Sequence, residues 1–208
     1  MMWGRFITLE GGEGVGKSTQ LLLLADALRS EGKNVVTTRE PGGTIGAEAI
    51  RTLLMTGTDD RWNARTEALL FAAARADHVA KLIRPAIERG DWVLCDRFVD
   101  STRAYQGGAG DVEDSDIMAL HQVGSAGLLP DRTLLLQMPP SEAAARAATR
   151  DDGKADRMGS KSAAYYTQVN TRFSELASHE PDRFRVIDAS GSVDDVTTRL
   201  LAALSDLL

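Results

Sequence analysis

The stretch Gly11-Gly12-Glu13-Gly14-Val15-Gly16-Lys17-Ser18 carries the spacing G-x-x-x-x-G-K-S in full. It follows the apolar run Phe6-Ile7-Thr8-Leu9 and precedes a helical pattern in which Leu21, Leu24, Ala25 and Leu28 recur on one face. A strand, a glycine-rich turn and a helix in that order point to a phosphate-binding loop rather than an ordinary turn with a surface lysine. The glycines let backbone N–H groups converge on phosphate oxygens, and the helix start adds the positive end of its dipole. Lys17 is placed to neutralise the β and γ phosphates, and the Ser18 hydroxyl to ligate magnesium. Gly11, Gly12, Glu13, Gly14, Val15, Gly16, Lys17, Ser18 and Thr19 are therefore the expected triphosphate site, with Mg2+ as its ion.

The same kind of apolar run recurs along the chain. The runs are Arg5–Glu10, Asn34–Thr38, Trp92–Asp96, Arg132–Gln137 and Phe184–Asp188. They are continuous rather than alternating, which predicts strands buried on both faces of a parallel sheet. Helical patterns lie between them. Gly32 is placed to stop the first helix. Ser141 is placed to cap a helix reaching about Arg150, and Tyr166, Val169, Phe173 and Leu176 share a face of another. Ser192 and Asp195 have capping-box spacing, with Asp in place of the usual Glu or Gln. Strands alternating with helices predict an α/β P-loop fold of three layers, a mostly parallel five-stranded sheet with helices on both faces. Pro85 should kink or divide the helical pattern from Glu67 to Arg89. The polar stretches Arg150–Lys161 and Gly107–Asp116 read as mobile loops.

The chain's 208 residues suit one domain. Its 43% hydrophobic and 26% charged residues are enough to bury a core and stay in solution. No apolar run of roughly 18 residues exists, so no membrane span is expected, and the N-terminus lacks a signal-peptide pattern. The lone cysteine, Cys95, excludes an internal disulfide framework and fits the cytoplasm. It sits in an apolar run and reads as core. The three histidines, His78, His121 and His179, have no metal-like spacing. A net charge of −6 argues against sequence-independent binding to nucleic acid. A local arginine cluster can still hold a small anion.

A phosphate loop alone is compatible with switches, motors and small-molecule kinases. Asp96 and Arg97 end the third apolar run, where α/β sheets bind ligands. Asp96 can hold magnesium through water and Arg97 can meet phosphate, or the two form a strand-end ion pair. Arg39-Glu40-Pro41-Gly42-Gly43-Thr44 is either a ligand wall or only a turn. Phe71 and Arg75, four apart on one helix, can stack on a base and bond its edge, but a phenylalanine among Leu69, Leu70 and alanines also reads as core. Ser101-Thr102-Arg103-Ala104-Tyr105-Gln106-Gly107 brings hydroxyls, an amide and an aromatic close to Asp96.

Together these segments resemble the thymidylate kinase family of P-loop nucleoside monophosphate kinases. The matching motifs are the phosphate loop, Thr38–Thr44 as TREPGGT, Phe71 to Arg75 as F-x-A-A-R, and Asp96-Arg97-Phe98 leading to Ser101–Gly107 as S-x-x-A-Y-Q-G. Pro130–Leu136 matches the strand P-D-x-T-L-x-L. The resemblance runs from Phe6 to about Asp188. It implies transfer of the γ-phosphate of ATP to thymidine 5′-monophosphate (dTMP), giving dTDP and ADP, in dTTP synthesis. It implies that Phe71 stacks on thymine, Arg75 bonds its carbonyl edge, and Arg97 grips the acceptor phosphate with Arg39, Glu40 and Pro41 nearby. Tyr105 would pack against the deoxyribose. Ser101, Thr102 and Gln106 would complete the acceptor site, and Glu10 would lie near the acceptor phosphate and the metal held by Ser18 and Asp96. The family also implies a homodimer, with the long Glu67–Arg89 helix as a reasonable interface.

Some members of the family carry an arginine inside the phosphate loop. Here Glu13, Gly14 and Val15 stand there and no cation precedes Lys17. The extra positive charge for transfer is then expected from a lid at about residues 146–161, which holds Arg146, Arg150, Lys154 and Arg157. Arg150 and Arg157 are rival catalytic candidates beside Lys17 and Arg97, with Gly153 and Gly159 as hinges. Asp156-Arg157 departs from the family in having Gly159 where Glu usually follows. Other readings are a kinase for another base, a GTP-binding switch or a DNA-binding ATPase. The chain lacks the Asn-Lys-x-Asp motif a switch needs, and its acidity disfavours the ATPase.

Overall fold

All five apolar runs form strands, and every strand pair is parallel. The computed structural model describes residues 3–58, 60–151, 157 and 161–208, with the backbone alone for 147–151. Strand β1 spans Phe6–Glu10, β2 Val35–Arg39, β3 Trp92–Asp96, β4 Arg132–Gln137 and β5 Phe184–Asp188. Their order across the sheet is β2-β3-β1-β4-β5. The helices are α1 Lys17–Ser30, α2 Ile45–Met55, α3 Ala64–His78, α4 Arg84–Glu88, α5 Val99–Thr102, α6 Asp114–Ser125, α7 Pro140–Asp151, α8 Ala163–His179 and α9 Val193–Ala202.

Successive residues of each strand point to opposite faces, so the sheet carries two cores. Leu9, Leu94, Leu134 and Leu136 pack with Leu24 and Leu28 of α1 and Leu200 of α9. On the other face Phe6, Val93 and Cys95 pack with Ile83, Phe98 and Ile117, while Leu135 packs with Tyr105, Phe173 and Leu176. Strand β1 is buried along its whole length, as expected of a strand covered on both faces. The edge strands depart from that expectation. Residues 35–38 of β2 are only half-buried, and Val186 of β5 is exposed, because an edge strand lacks a neighbour on one side.

The Glu67–Arg89 pattern divides at Pro85 as expected, while other local expectations are corrected. Helix α3 gives way to a π-helical turn, Val79–Ile83, and Pro85 sits in the first turn of α4, where its missing N–H costs nothing. For the same reason α7 opens on Pro140 and not behind a Ser141 cap. It also runs to Asp151, so Arg150 and Asp151 are helical where a loop was expected, and most of the remaining stretch lies outside the described residues. Gly107–Asp116 is not a free loop. Gly107 and Gly108 close a π-helical turn that begins at Arg103, the buried Val112 donates its N–H to the Gln106 carbonyl at 3.0 Å, and Asp114 opens α6. The Ser192–Asp195 capping box is present at α9.

Candidate active site

The strand register sets the floor of the site. Leu9 pairs with Asp96 and Asp96 with Arg39, so the carboxyl ends of β1, β3 and β2 finish at one level. Directly beyond β1 the chain turns at Gly11, whose φ of 135° and close approach to the Leu136 carbonyl leave no room for a side chain. Gly16, at φ 91°, caps α1 from the left-handed region. Between them the backbone wraps around the Lys17 ammonium, which donates to the carbonyls of Gly11 at 3.1 Å and Gly12 at 2.6 Å. Burial and the neighbouring Arg97 push the Lys17 pKa down to about 8. An anion in the loop would favour the charged form again.

The Ser18 hydroxyl donates to Asp96 Oδ2 at 2.6 Å. Two hard oxygens, one anionic, meet at the mouth of the phosphate loop, which is the donor chemistry Mg2+ takes when phosphates and water supply its other ligands. Among the described residues no cluster of three His, Cys, Asp or Glu side chains forms another metal site.

Glu10 accepts from the Phe98 N–H at 2.7 Å and from the Ser101 hydroxyl at 2.6 Å. Complete burial, and then the charge of Asp100, push its pKa up to about 8. Arg97 stands beside it at φ 70°, a left-handed conformation unusual outside glycine. Its guanidinium donates to the Gly11 carbonyl at 3.0 Å, to Ser101 Oγ at 3.1 Å and to Glu13 Oε1 at 2.6 Å. It also lies 5.1 Å from the centre of the Tyr105 ring. Arg97 thus touches the glycine-rich loop on one side and Ser101 and the Tyr105 ring on the other. Neighbouring Cys95 is a buried free thiol, with its pKa raised by burial, and belongs to the core as expected.

Phe71 is half-buried and lines the same cleft. Arg75 is buried, donating from Nε to Glu40 Oε2 at 2.8 Å and from Nη2 to Thr102 Oγ1 at 2.9 Å. Gln106 donates to Glu67 Oε2 at 2.9 Å. Burial raises the phenol pKa of Tyr105, so the ring presents a neutral face. Together with the phosphate loop these residues bound a cleft of ≈ 740 Å³, within the range of small-ligand sites.

Not every expected residue points into the cleft. Arg39 borders it, but its guanidinium is engaged by Glu48 at 3.0 Å and by the Pro41 carbonyl at 3.1 Å. Arg157 is not among the lining residues. It is buried, with Nη1 2.7 Å from Glu67 Oε1 and Nε 2.8 Å from the Leu54 carbonyl. The Arg150 side chain, Lys154, Asp156 and the hinge candidates Gly153 and Gly159 lie outside the described residues.

Among the other lining residues, Arg146 belongs to the expected lid and Ser192 to the expected capping box, whereas Gln20, Arg51, Ala189 and Gly191 carried no sequence signal. Gln20 donates to the Val193 carbonyl at 2.9 Å and accepts from Thr197 at 2.8 Å, which ties α1 to α9. With Ala189, Gly191, Ser192 and Arg146 it builds the wall beside the phosphate loop. Arg51 reaches over the Pro41 carbonyl at 2.9 Å from α2, a helix no motif announced. His78, without metal-like spacing, is wholly buried against Glu40 and Thr38.

Known proteins align with this chain along its length. The family model described as thymidylate kinase matches residues 9–200. A thymidylate kinase from Rhizorhabdus wittichii is 61% identical over 207 residues, covering 100% of both chains. One from Caulobacter vibrioides is 50% identical and covers 100% of this chain and 97% of its own. The crystal structure of thymidylate kinase from Ehrlichia chaffeensis superposes with a TM-score of 0.79 at 33% identity, covering 97% of this chain and 99% of that one.

Proposed function

The chain belongs to the thymidylate kinase family and is an enzyme that phosphorylates dTMP to dTDP with ATP as donor; we propose that the transfer runs in the cleft described above, with each nucleotide at its own end. The donor triphosphate takes the Gly11–Thr19 loop, and its base lies toward Gln20, Gly191 and Arg146. The acceptor base takes Phe71 as a stacking face and Arg75, Thr102 and Gln106 as polar partners. Tyr105 packs on the deoxyribose. The observation that supports this arrangement is Arg97, which bonds the Gly11 carbonyl while lying over the Tyr105 ring. An acceptor phosphate at Arg97 sits where it meets a γ-phosphate held by Lys17.

The residues then act mainly by positioning and neutralisation. Lys17 holds the β and γ phosphates. Arg97 exchanges its contact with Glu13 for the acceptor phosphate, and its charge stays in place as the phosphoryl group moves. Glu10 holds Ser101 and the Phe98 backbone, and so fixes the Arg97 turn. Mg2+, when bound at Ser18 and Asp96, neutralises phosphate charge. Further positive charge comes from the lid at about residues 146–161, with Arg150 as the candidate, since the Arg157 guanidinium is engaged by Glu67.

The same reading covers location and assembly. No described helix is long and apolar enough to cross a membrane, which suits a cytoplasmic enzyme of dTTP synthesis. The exposed apolar side chains Leu69 and Val123, on the adjacent helices α3 and α6, favour a homodimer through that face. The deciding experiment is a coupled ADP-release assay over a panel of nucleoside monophosphates. dTMP is expected to be the best acceptor, and a better rate with another base would overturn the assignment of the base pocket.

A further inference from the structure

Glu40 is buried between two partners that use different oxygens. Its Oε2 accepts from Arg75 Nε at 2.8 Å, and its Oε1 lies 3.1 Å from Nδ1 of His78. On the far side of the ring, His78 Nε2 lies 2.7 Å from Thr38 Oγ1. The imidazole has no exposed surface, and Glu40 and Arg75 are nearly as deep. A carboxylate only accepts hydrogen bonds, so Nδ1 carries the proton that meets Glu40, and Nε2 is the ring atom that meets the Thr38 hydroxyl. The turn after Glu40 closes on this ring. A Cβ on Gly43 would fall 2.5 Å from both His78 Nε2 and Thr38 Oγ1. The imidazole is therefore held from three sides: by Thr38 of β2, by the Gly43 backbone and by Glu40.

We infer that His78 is a positioning residue for the acceptor base, acting through Glu40 on Arg75. With Oε1 anchored, the Glu40 carboxylate cannot rotate about its last bond, and Oε2 stays aimed at Arg75 Nε. Arg75 Nη2 is taken by Thr102, so the guanidinium is held at two points while the residue lines the cleft. Discrimination between bases needs this rigidity. A hydrogen-bond donor that can swing serves a carbonyl and an amino group almost equally, whereas a fixed one penalises the mismatch. The inference rests on the reading that Arg75 meets the base of the acceptor.

The test is steady-state kinetics of the full-length enzyme with dTMP and with dCMP, which carries an amino group in place of one carbonyl. His78→Asn keeps a donor near the Nδ1 position and so the bond to Glu40. His78→Gln reaches the Nε2 position and the bond to Thr38 only. The expected result for His78→Gln is a KM for dTMP raised about tenfold or more, the scale of losing a buried hydrogen bond to a charged group. Its kcat and its KM for ATP should change less than about threefold, and its preference for dTMP over dCMP should narrow. His78→Asn should recover most of the loss. Equal behaviour of the two variants, or a parallel fall in kcat with both substrates' KM unchanged, would overturn the inference. Arg75→Lys separates it from the underlying reading. If Arg75→Lys leaves the dTMP preference unchanged, the base-pocket reading fails. If that preference narrows while both His78 variants keep it, only the role of His78 fails.

Discussion

Arg157 Nη1 lies 2.7 Å from Glu67 Oε1, and the two side chains keep 0% and 7% of their exposure. Arg157 thus meets the start of α3 through a buried ion pair, and the same Glu67 accepts from Gln106, which the proposed function places at the acceptor base. Removing one partner of such a pair leaves the other charged and buried. Arg157→Ala is expected to lower the unfolding free energy by about 3 kcal/mol. For a chain of this size that is a fall of about 6–12 °C in melting temperature. Unchanged melting with a large loss of turnover would return Arg157 to the phosphates.

Arg150 should behave differently. Arg150→Ala is expected to lower kcat by tenfold or more, on the order seen when a transition-state donor is removed. dTMP affinity should change far less, because the contact strengthens only as charge develops. Equal losses in kcat and in dTMP binding would count against a catalytic lid.

The proposed Mg2+ site at Ser18 and Asp96 gives a third expectation. Chelation of Mg2+ should stop the reaction. Ser18→Ala should raise the Mg2+ concentration needed for half-maximal rate by about tenfold, a typical cost for perturbing a metal site, and Asp96→Asn should do at least as much by removing the charge. A magnesium titration at saturating ATP reads this directly. Identical titration curves for wild type and both variants would move the metal elsewhere.

Two buried titratable groups set opposite pH dependences of stability in the unliganded enzyme. The Glu10 pKa rises from 4.5 to about 8 on folding, so the folded chain holds a proton that the unfolded chain releases. Stability is therefore lost as pH rises from 4.5 through 8. The Lys17 pKa falls from 10.5 to about 8, so the unfolded chain binds the extra proton, and stability is regained as pH rises from 8 to 10.5. Urea melts of wild type against Glu10→Gln should show the first slope flattened, and against Lys17→Met the second. A wild-type slope that survives in Glu10→Gln would place the proton on another group.

Much of the fold was legible because its signals are local. The five apolar runs became the five strands, with ends shifted by a residue at most. Helix α1 and the α9 capping box were equally plain. The failures share a cause. Proline can open a helix as well as break one, so Pro140 starts α7 where a Ser141 cap was expected. Gly107 and Gly108 read as a loop, yet the buried Val112 and its bond to the Gln106 carbonyl hold that segment against the core. Helix α2 is signalled only through Thr44, whose hydroxyl caps it at Ala47, and that cap lies inside the turn motif Arg39–Thr44.

The sequence by itself determined the glycine-rich loop proposed as the donor end of this site, because that loop is made by eight consecutive residues and needs no distant partner. It also determined the strand ends from which Asp96 and Arg97 project, since a strand covered on both faces is apolar whichever neighbour it pairs with. Only the tertiary structure decided where the charges go. Arg97 meets Glu13 from 84 positions away, Arg75 meets Glu40 from 35, and Arg157 meets Glu67 from 90. Among 24 lysines and arginines and 30 acids, Coulomb attraction has no preference for order along the chain. The partner is chosen when folding strips both groups of water, because a buried charge left alone is too costly to keep. That is why Arg157, a lid candidate by position, ends against Glu67, and why His78, without a motif, ends behind the arginine proposed to read the base.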